Sequence, residues 1–338
     1  MVNILPIASG KGGVGKSNIA VNLAIILAQK GHRVVLADFD FGGANLHTLL
    51  GLKNNHVGMG NFIYKQTADL SELLQDTQVE NLKFIAGDCL YPGTANIDNS
   101  MKKKIIRKLT TIDADYLLLD LGAGTTYNTL DFYLLTYNSI LVTTPELTSI
   151  LNAYSFLKAA AFRFFVRQFK VRSEEKKFID EFLQNSSSGT ETSFLDLVNQ
   201  TAAKFSSDES VFLTELNKYR PQVIMNMGQN SADLEMGRRL RSLVKNKLGI
   251  SMDFVGFLPK DDNISYSIAL RKPLALSDAN CNFVSSVRTA ADRILQHTYY
   301  YNNGLNDDTI GGESDTEDLT SDSDLKSLEN EFDSNVDK

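Results

Sequence analysis

The hydrophobic pattern of the first 150 residues predicts strands that alternate with helices. Five apolar runs end at or just before Gly, Asp, Ser or Pro, and they read NILPIAS, RVVLAD, LKFIAG, YLLLDL and SILVTT. Runs without polar alternation indicate strands that are covered on both faces. We therefore predict an α/β fold, a doubly wound and mostly parallel sheet with helices on both faces. Later strands are predicted at PQVIMNM and MDFVGFL, and the last helix at residues 279–296.

Two segments depart from this alternation. Residues 162–219 are predicted to form a helical insertion, which begins with the amphipathic stretch FRFFVRQFKVR and contains the linker NSSSGTETS. That stretch either packs on the chain's own sheet or docks on a partner. Residues 304–338 hold twelve Asp and Glu but two Lys, and their composition predicts a disordered acidic tail after a domain of residues 1–303. The alternative for the tail is a short partner-binding helix through Leu325, Leu328, Phe332 and Val336.

The charge and composition agree with a globular protein. The net charge of −7 comes from the tail, because the rest of the 338-residue chain has a small excess of Lys and Arg. No apolar run reaches the roughly 20 residues that a membrane-spanning helix needs, and no signal-peptide pattern opens the chain. These features predict a cytoplasmic protein. Cys89 and Cys281 are far apart and belong to no C-x-x-C pair, which argues against a disulfide framework or a zinc motif.

A glycine-rich segment at residues 10–17 fits the pattern G-x-x-x-x-G-K-[ST], between a predicted strand and a predicted helix. Its glycines let the backbone curl so that N–H groups and the helix N-terminus point at phosphate oxygens. Lys16 is predicted to bridge the β- and γ-phosphates, and the Ser17 hydroxyl to ligate Mg²⁺. The predicted nucleotide-binding residues of this loop are Gly10, Lys11, Gly12, Gly13, Val14, Gly15, Lys16, Ser17 and Asn18.

The stretch KGGVGKS resembles the deviant phosphate loop of the MinD/ParA group of ATPases, which has a signature lysine near its start. By this resemblance, Lys11 reaches across a nucleotide-sandwich homodimer to the phosphates of the partner subunit. A cation supplied by a second chain implies that ATP binding favours the dimer and that hydrolysis releases it. The resemblance gives catalytic roles to Lys11, Lys16 and Asp40.

Acidic residues follow two further predicted strands. Asp38 and Asp40 close the second strand, at the carboxyl edge where open α/β sheets bind ligands. The resemblance implies that Asp40 orients or activates the attacking water and that Asp38 belongs to the outer shell of the magnesium ion. Asp120 ends a hydrophobic strand, like a Walker B carboxylate that holds Mg²⁺ through water. Gly124, in the sequence DLGAG of the FlhG-like branch, permits a close backbone approach to the γ-phosphate.

The base pocket is predicted from two later segments. Asn226 follows the run QVIM, while Pro259 and Asp261 lie in GFLPKDD. In the MinD/ParA group, the corresponding residues contact adenine. No N-K-x-D guanine signature occurs in this region, so ATP is predicted rather than GTP.

Together these motifs predict a Mg²⁺-dependent ATP hydrolase that forms a homodimer and positions the division site, flagella or another cargo. Its partners would include a protein activator or cargo, whereas nucleic acid is not expected. MinD proteins end in a basic amphipathic helix that binds membranes, and the acidic C-terminus here differs, so peripheral membrane association would need another route.

Three alternative functions stay open. An iron–sulfur ATPase or cluster carrier shares the loop but typically has a cysteine just past the Walker B region, and none follows Asp120. A bacterial tyrosine kinase is suggested by the three tyrosines at 299–301. A nucleotide-binding module without turnover would keep the loop and lack hydrolysis.

Overall fold

The computed structural model describes residues 2–53, 57–87, 97–186, 193–205, 218–302 and 323–336. The strands are β1 Asn3–Ala8, β2 Val34–Phe39, β3 Gln75–Asp76, β4 Leu82–Ile85, β5 Tyr116–Leu121, β6 Ile140–Thr143, β7 Gln222–Gly228 and β8 Asp253–Pro259. The helices of the first half are α1 Lys16–Gln29, α2 Leu46–Leu49, α3 Met59–Ile63, α4 Asn99–Leu109, α5 Tyr127–Tyr133 and α6 Leu147–Arg167. Those of the second half are α7 Glu174–Ser186, α8 Phe194–Phe205, α9 Leu234–Leu248, α10 Asn263–Ala269, α11 Leu274–Ser277, α12 Asn282–Asn302 and α13 Ser323–Val336. Short 3₁₀ helices lie at Leu70–Leu73 and Ser231–Asp233.

The strands form one eight-stranded sheet in the order β3-β4-β2-β5-β1-β6-β7-β8. All described pairings are parallel except the one between β3 and β4. The predicted fold class is confirmed. Every predicted strand is present, whereas β3 was not predicted because its two residues, Gln75 and Asp76, have no apolar pattern.

Hydrophobic cores cover both faces of the sheet. Alternate residues of β2, such as Val34 and Val35, belong to different core clusters. Helix α1 is buried along most of its length. Gly31, just after its C-cap Lys30, has φ +91° and donates its N–H to the Ala28 carbonyl oxygen. Within the described residues, none of the helices has the length and hydrophobicity needed to span a bilayer.

The predicted insertion begins within a helix. Position 162 falls inside α6, whose residues Phe162 and Phe165 contact the ring of Phe194 in α8 at centroid distances of 5.1 and 6.1 Å. The amphipathic stretch thus packs on the chain's own core. Helices α7 and α8 lie in the predicted insertion, while residues 187–192 and 206–217 lie outside the described part.

The prediction of a disordered tail is wrong for Ser323–Val336, which forms α13. Its side chains Leu325, Leu328 and Phe332 are buried, and the helix packs on β8, α9 and α12. Acidic composition predicted disorder because a charged segment rarely buries enough apolar surface. Here the apolar residues share one helical face and arginines pair with the acidic ones. Residues 303–322 lie outside the described part, so disorder there stays a prediction.

Candidate functional site

The loop between β1 and α1 has the backbone geometry of an anion site. Gly13 and Gly15 have φ +82° and +85°, in the left-handed region that favours glycine. Gly15 is the N-cap of α1 and has no side chain to cap it. The first N–H groups of α1, and the positive end of its dipole, therefore remain for a bound anion.

Two glycines of this loop lie against other elements. A Cβ on Gly10 would lie 2.2 Å from the carbonyl oxygen of Asn152 in α6, and one on Gly15 would lie 2.3 Å from Nδ2 of Asn226 in β7. The loop is thus wedged between α6 and the end of β7, and these contacts hold its shape.

Replacing Gly15 with alanine is expected to disrupt the loop. The new methyl group would clash with Asn226, and alanine would also be strained at φ +85°. We expect nucleotide affinity to fall about tenfold or more, because strain of about 1–3 kcal/mol would oppose the binding geometry. Isothermal titration calorimetry with ATP and MgCl₂ measures the nucleotide affinity. Gly12→Ala is the matched control, since a Cβ there meets no heavy atom within 4 Å, and equal losses in both variants would contradict the prediction.

Lys16 and Asp120 form a buried ion pair. Lys16 Nζ contacts Asp120 Oδ1, and the two side chains are 7% and 1% exposed. The same Nζ lies 3.5 Å from Ser17 Oγ. Burial raises the pKa of Asp120, although Lys16 opposes this effect. The predicted phosphate lysine and the predicted Walker B carboxylate therefore share one site.

Asp38 lies opposite Asp120 on the neighbouring strand. Its buried carboxylate accepts hydrogen bonds from the backbone N–H groups of Asp40, Asn45 and Leu46 at 3.1, 3.0 and 3.1 Å. Burial, together with the nearby charge of Asp120, raises the pKa of Asp38 to about 7. In the structure this carboxylate holds the loop that follows β2.

Asp40 and Gly124 bring the remaining motifs to the same edge. A Cβ on Gly122 would lie 3.3 Å from Asp40 Oδ1, so the loop after β2 touches the loop after β5. Gly124, at φ +88°, donates its N–H to the Ser9 carbonyl oxygen at 3.0 Å. Ser9 was not predicted, because it contributes a backbone atom that no residue type reveals.

Lys11 forms an exposed ion pair with a residue outside this cluster. Its Nζ lies 3.5 Å from Glu146 Oε2, and the two side chains are 44% and 67% exposed. Leu147 and Leu151, in the first turns of α6, are also exposed. Glu146 was not predicted, since no motif surrounds it.

The predicted base-pocket residues have different surroundings. Asn226 is buried, and its Nδ2 donates to the Val14 carbonyl oxygen at 2.9 Å. Its Oδ1 has no hydrogen-bond partner in the part of the chain that the structure describes. Pro259 ends β8 beside Gly228. Asp261 Oδ1 accepts from the Asn263 N–H at 2.8 Å, which is a local turn contact.

Asn18 faces the interior rather than the loop. Its Oδ1 accepts from Asn22 Nδ2 at 2.8 Å, and Asn22 Oδ1 in turn accepts from the Ala275 N–H at 2.9 Å. These bonds fasten α1 to α11. The side-chain oxygen of Asn18 is therefore bonded within the protein.

The oxygen atoms of Ser17 and Asp120 match the ligand preference of Mg²⁺. This ion takes hard oxygen ligands, and it commonly uses one or two protein side chains together with phosphates and water. Among the described residues, no group of three or more His, Cys, Asp or Glu side chains is placed to hold a metal by itself. The donor set fits a magnesium ion that binds with a nucleotide.

A family model described as "ParA: NUBPL iron-transfer P-loop NTPase" matches residues 1–163. Residues 1–163 are thus similar to the ParA family of P-loop NTPases. This confirms the resemblance predicted from the loop. The match covers the phosphate loop, the loop after β2 and the loop after β5, whereas Asn226 and Pro259 lie beyond it.

Curated proteins that are similar to this chain have several named roles. The chain is 37% identical over 151 residues to the septum site-determining protein MinD of Helicobacter pylori, covering 44% of this chain and 56% of that protein. It is 32% identical over 164 residues to the flagellum site-determining protein YlxH of the same organism, covering 46% and 52%. An iron-sulfur cluster carrier protein of Synechocystis is 34% identical over 164 residues, covering 46% and 45%. The chain spans about half the length of the curated relatives it matches.

Solved structures share the fold at low sequence identity. MinD of Pyrococcus horikoshii, complexed with Mg-ADP, aligns with a TM-score of 0.58 at 17% identity, over 88% of this chain and 98% of that chain. MinD in the MinC:MinD complex of Aquifex aeolicus aligns with a TM-score of 0.56 at 17% identity, over 87% and 96%. The ParA-family fold therefore extends past residue 163 to the later strands.

Proposed function

We propose that this chain binds ATP with Mg²⁺, hydrolyses ATP, and works as a nucleotide-dependent homodimer. The main support is the convergence of Lys16, Asp120 and Asp40 beside an uncapped helix N-terminus. Positive charge from Lys16 and from the N–H groups of α1 suits the β- and γ-phosphates. ATP turnover measured by phosphate release tests the proposal, and nucleotide binding without phosphate release would favour a binding module.

The acidic residues of the site have different proposed roles. Ser17 and Asp120 would hold Mg²⁺, which supplies charge neutralisation at the phosphates. Asp40 lies at the junction of the loops after β2 and β5, where its carboxylate would orient or activate the attacking water. Asp38 keeps the first of these loops in place through three backbone hydrogen bonds. Asn226 Oδ1 would accept from the amino group of adenine.

The dimer proposal concerns Lys11. Its ion pair with Glu146 is exposed, and exposed pairs contribute only about 0–1 kcal/mol. The ammonium group can therefore turn toward a stronger anion at little cost. A triphosphate bound to a second copy of the chain supplies such an anion, as the resemblance to the MinD/ParA group implies. In this proposal, the exposed Leu147 and Leu151 lie in the contact between subunits.

Lys11→Ala is expected to abolish ATP-dependent dimerisation while nucleotide binding by the monomer stays largely intact. The substitution is made in an Asp40→Ala background, which would slow hydrolysis and keep ATP bound. Size-exclusion chromatography with ATP and MgCl₂ reports the oligomeric state. Lys103→Ala, which removes another exposed lysine, is the control. An undiminished dimer in the Lys11 variant would refute the proposal.

The cellular role proposed here is that of a positional switch in the cytoplasm. Relatives named for septum and flagellum placement support this class of role. A protein activator or cargo should prefer the ATP-bound dimer. Pull-down with the Asp40→Ala protein, with ATP against ADP, would identify it. The packed acidic helix α13 does not suit attachment to an anionic membrane.

Iron–sulfur cluster carrying is the second candidate function. The description of the matching family model and the Synechocystis relative favour it. The sequence holds two cysteines, of which Cys281 is partly buried and directly precedes α12, and Cys89 lies outside the described residues. Anaerobic purification followed by iron analysis and absorbance spectroscopy tests it. A bound cluster would favour this function, and iron-free protein would remove it.

A further inference from the structure

Helix α13 lies at the edge of the sheet farthest from β3. It covers β8, the edge strand, and contacts α9 and α12. Leu325, Leu328 and Phe332 are buried in this contact, and the Phe332 ring lies 4.5 Å from that of Phe257 in β8. Their spacing of three and four residues places them on one helical face.

The polar contacts of α13 are charge-matched. Three of its four acidic side chains meet an arginine of the surrounding framework: Asp324 meets Arg241, Glu329 meets Arg238, and Glu331 meets Arg293. Asp324 Oδ2 also accepts from the Phe254 N–H at 2.8 Å, which satisfies a donor on the edge strand.

The three arginines also have partners within the framework itself. Arg238 lies 3.7 Å from Glu235. The guanidinium of Arg241 lies 5.1 Å from the ring centroid of Phe254, and Arg293 Nη1 donates to the Val255 carbonyl oxygen at 3.3 Å. These contacts hold the arginines in place independently of α13. The framework thus forms a groove with an aromatic floor and basic walls, which we call the β8 groove, formed by β8, α9 and α12.

We propose that the β8 groove is a docking site for a short acidic amphipathic helix. Helix α13 is its resident occupant and is displaced by a partner helix of the same chemistry. The required features are apolar residues with the spacing of Leu325, Leu328 and Phe332, together with carboxylates on the flanks. This is the helix-in-groove mode of recognition, in which a few apolar anchors give affinity and charges give orientation. The proposal does not depend on ATP hydrolysis.

The test uses the full chain with a protease site inserted between residues 303 and 322. After cleavage, a fluorescein-labelled peptide of residues 323–336 is added, and fluorescence anisotropy reports binding. We expect the peptide to exchange into the cleaved chain. We expect the affinity of the peptide for the uncleaved chain to be lower by about a hundredfold or more, because the tethered helix competes at high effective concentration.

Altered peptides test the proposed chemistry. A peptide with Phe332→Ala should bind about a hundredfold more weakly, because a buried aromatic anchor is lost. A peptide with Asp324→Lys, Glu329→Lys and Glu331→Lys should not bind. Affinity for the unaltered peptide should fall about tenfold or more between 50 and 500 mM NaCl, because charge pairs are screened.

Protein variants complete the experiment. Arg241→Ala in the cleaved chain should weaken peptide binding, whereas Arg239→Ala, a more exposed arginine of the same helix, should not. In the uncleaved chain, Leu328→Asp should open the groove and allow the peptide to bind. The proposal is overturned if the cleaved helix does not exchange while the chain stays folded, if cleavage unfolds the chain, or if the lysine-substituted peptide binds equally well.

Discussion

Replacing Asp131 with alanine is expected to lower the free energy of unfolding by about 3–5 kcal/mol, because it leaves a buried cation without a partner. Asp131 lies on α5 and is buried. Lys102, also buried, donates to Asp131 Oδ2 at 2.5 Å. Arg163 binds both carboxylate oxygens at 2.7 and 2.9 Å, and Arg167 lies 3.7 Å away. One carboxylate thus joins α4, α5 and α6.

Urea denaturation followed by circular dichroism measures the effect. The control is Asp76→Ala, which breaks the exposed pair between Asp76 and Lys83. That variant should lose about 1 kcal/mol or less, because exposed ion pairs contribute little. Equal destabilisation of the two variants would show that the buried Asp131 cluster contributes no more to the free energy of unfolding than an exposed ion pair.

The same cluster predicts a dependence on pH. Burial alone would raise the pKa of Asp131, but the hydrogen bonds from Arg163 and Lys102 outweigh it and hold this pKa below its usual value. A carboxyl group whose pKa is lower in the folded state stabilises the fold above its unfolded pKa. That stabilisation is lost as pH falls through the folded pKa. The difference in free energy of unfolding between the wild-type chain and Asp131→Ala should therefore decrease as the pH falls through the folded pKa of Asp131.

Lys16→Ala is expected to weaken ATP binding about a hundredfold or more. The substitution removes the buried ammonium group that we propose to pair with the phosphates of ATP. Loss of one partner from a buried charge pair costs about 2–5 kcal/mol of binding free energy. Calorimetric titration with ATP and MgCl₂ measures the affinity. Lys11→Ala is the control, since it removes the other lysine of the same loop from an exposed position. Similar losses in both variants would contradict the roles proposed for the two lysines.

Lys16→Ala should also destabilise the nucleotide-free protein. Asp120 would keep its buried position and lose its cation, while Asp38 lies opposite on β2. Two neighbouring buried carboxyl groups oppose ionisation of each other. Adding Asp120→Asn to Lys16→Ala should recover part of the lost stability and none of the ATP affinity. A double variant that is less stable than Lys16→Ala would rule out this explanation.

The sequence alone determined the parallel α/β fold, the strand–loop–helix around residues 10–17, and the position of Asp38, Asp40 and Asp120 at one edge of the sheet. These features follow from contiguous patterns. Buried strands are apolar runs, the glycines supply the left-handed turns, and residues that end parallel strands must meet at the carboxyl edge. Within the described residues, the acidic composition predicted disorder for Ser323–Val336, which instead forms the helix α13.

The tertiary structure alone decided the contacts between distant segments. The bond from Asn226 to Val14, the pair of Lys11 with Glu146, and the grouping of Lys102 with Asp131 and Arg163 join residues from different elements. The docking of α13 on β8 is of the same kind. The reason is physical: each such contact depends on the packing that brings two elements together, and no local spacing or propensity encodes the distance between them.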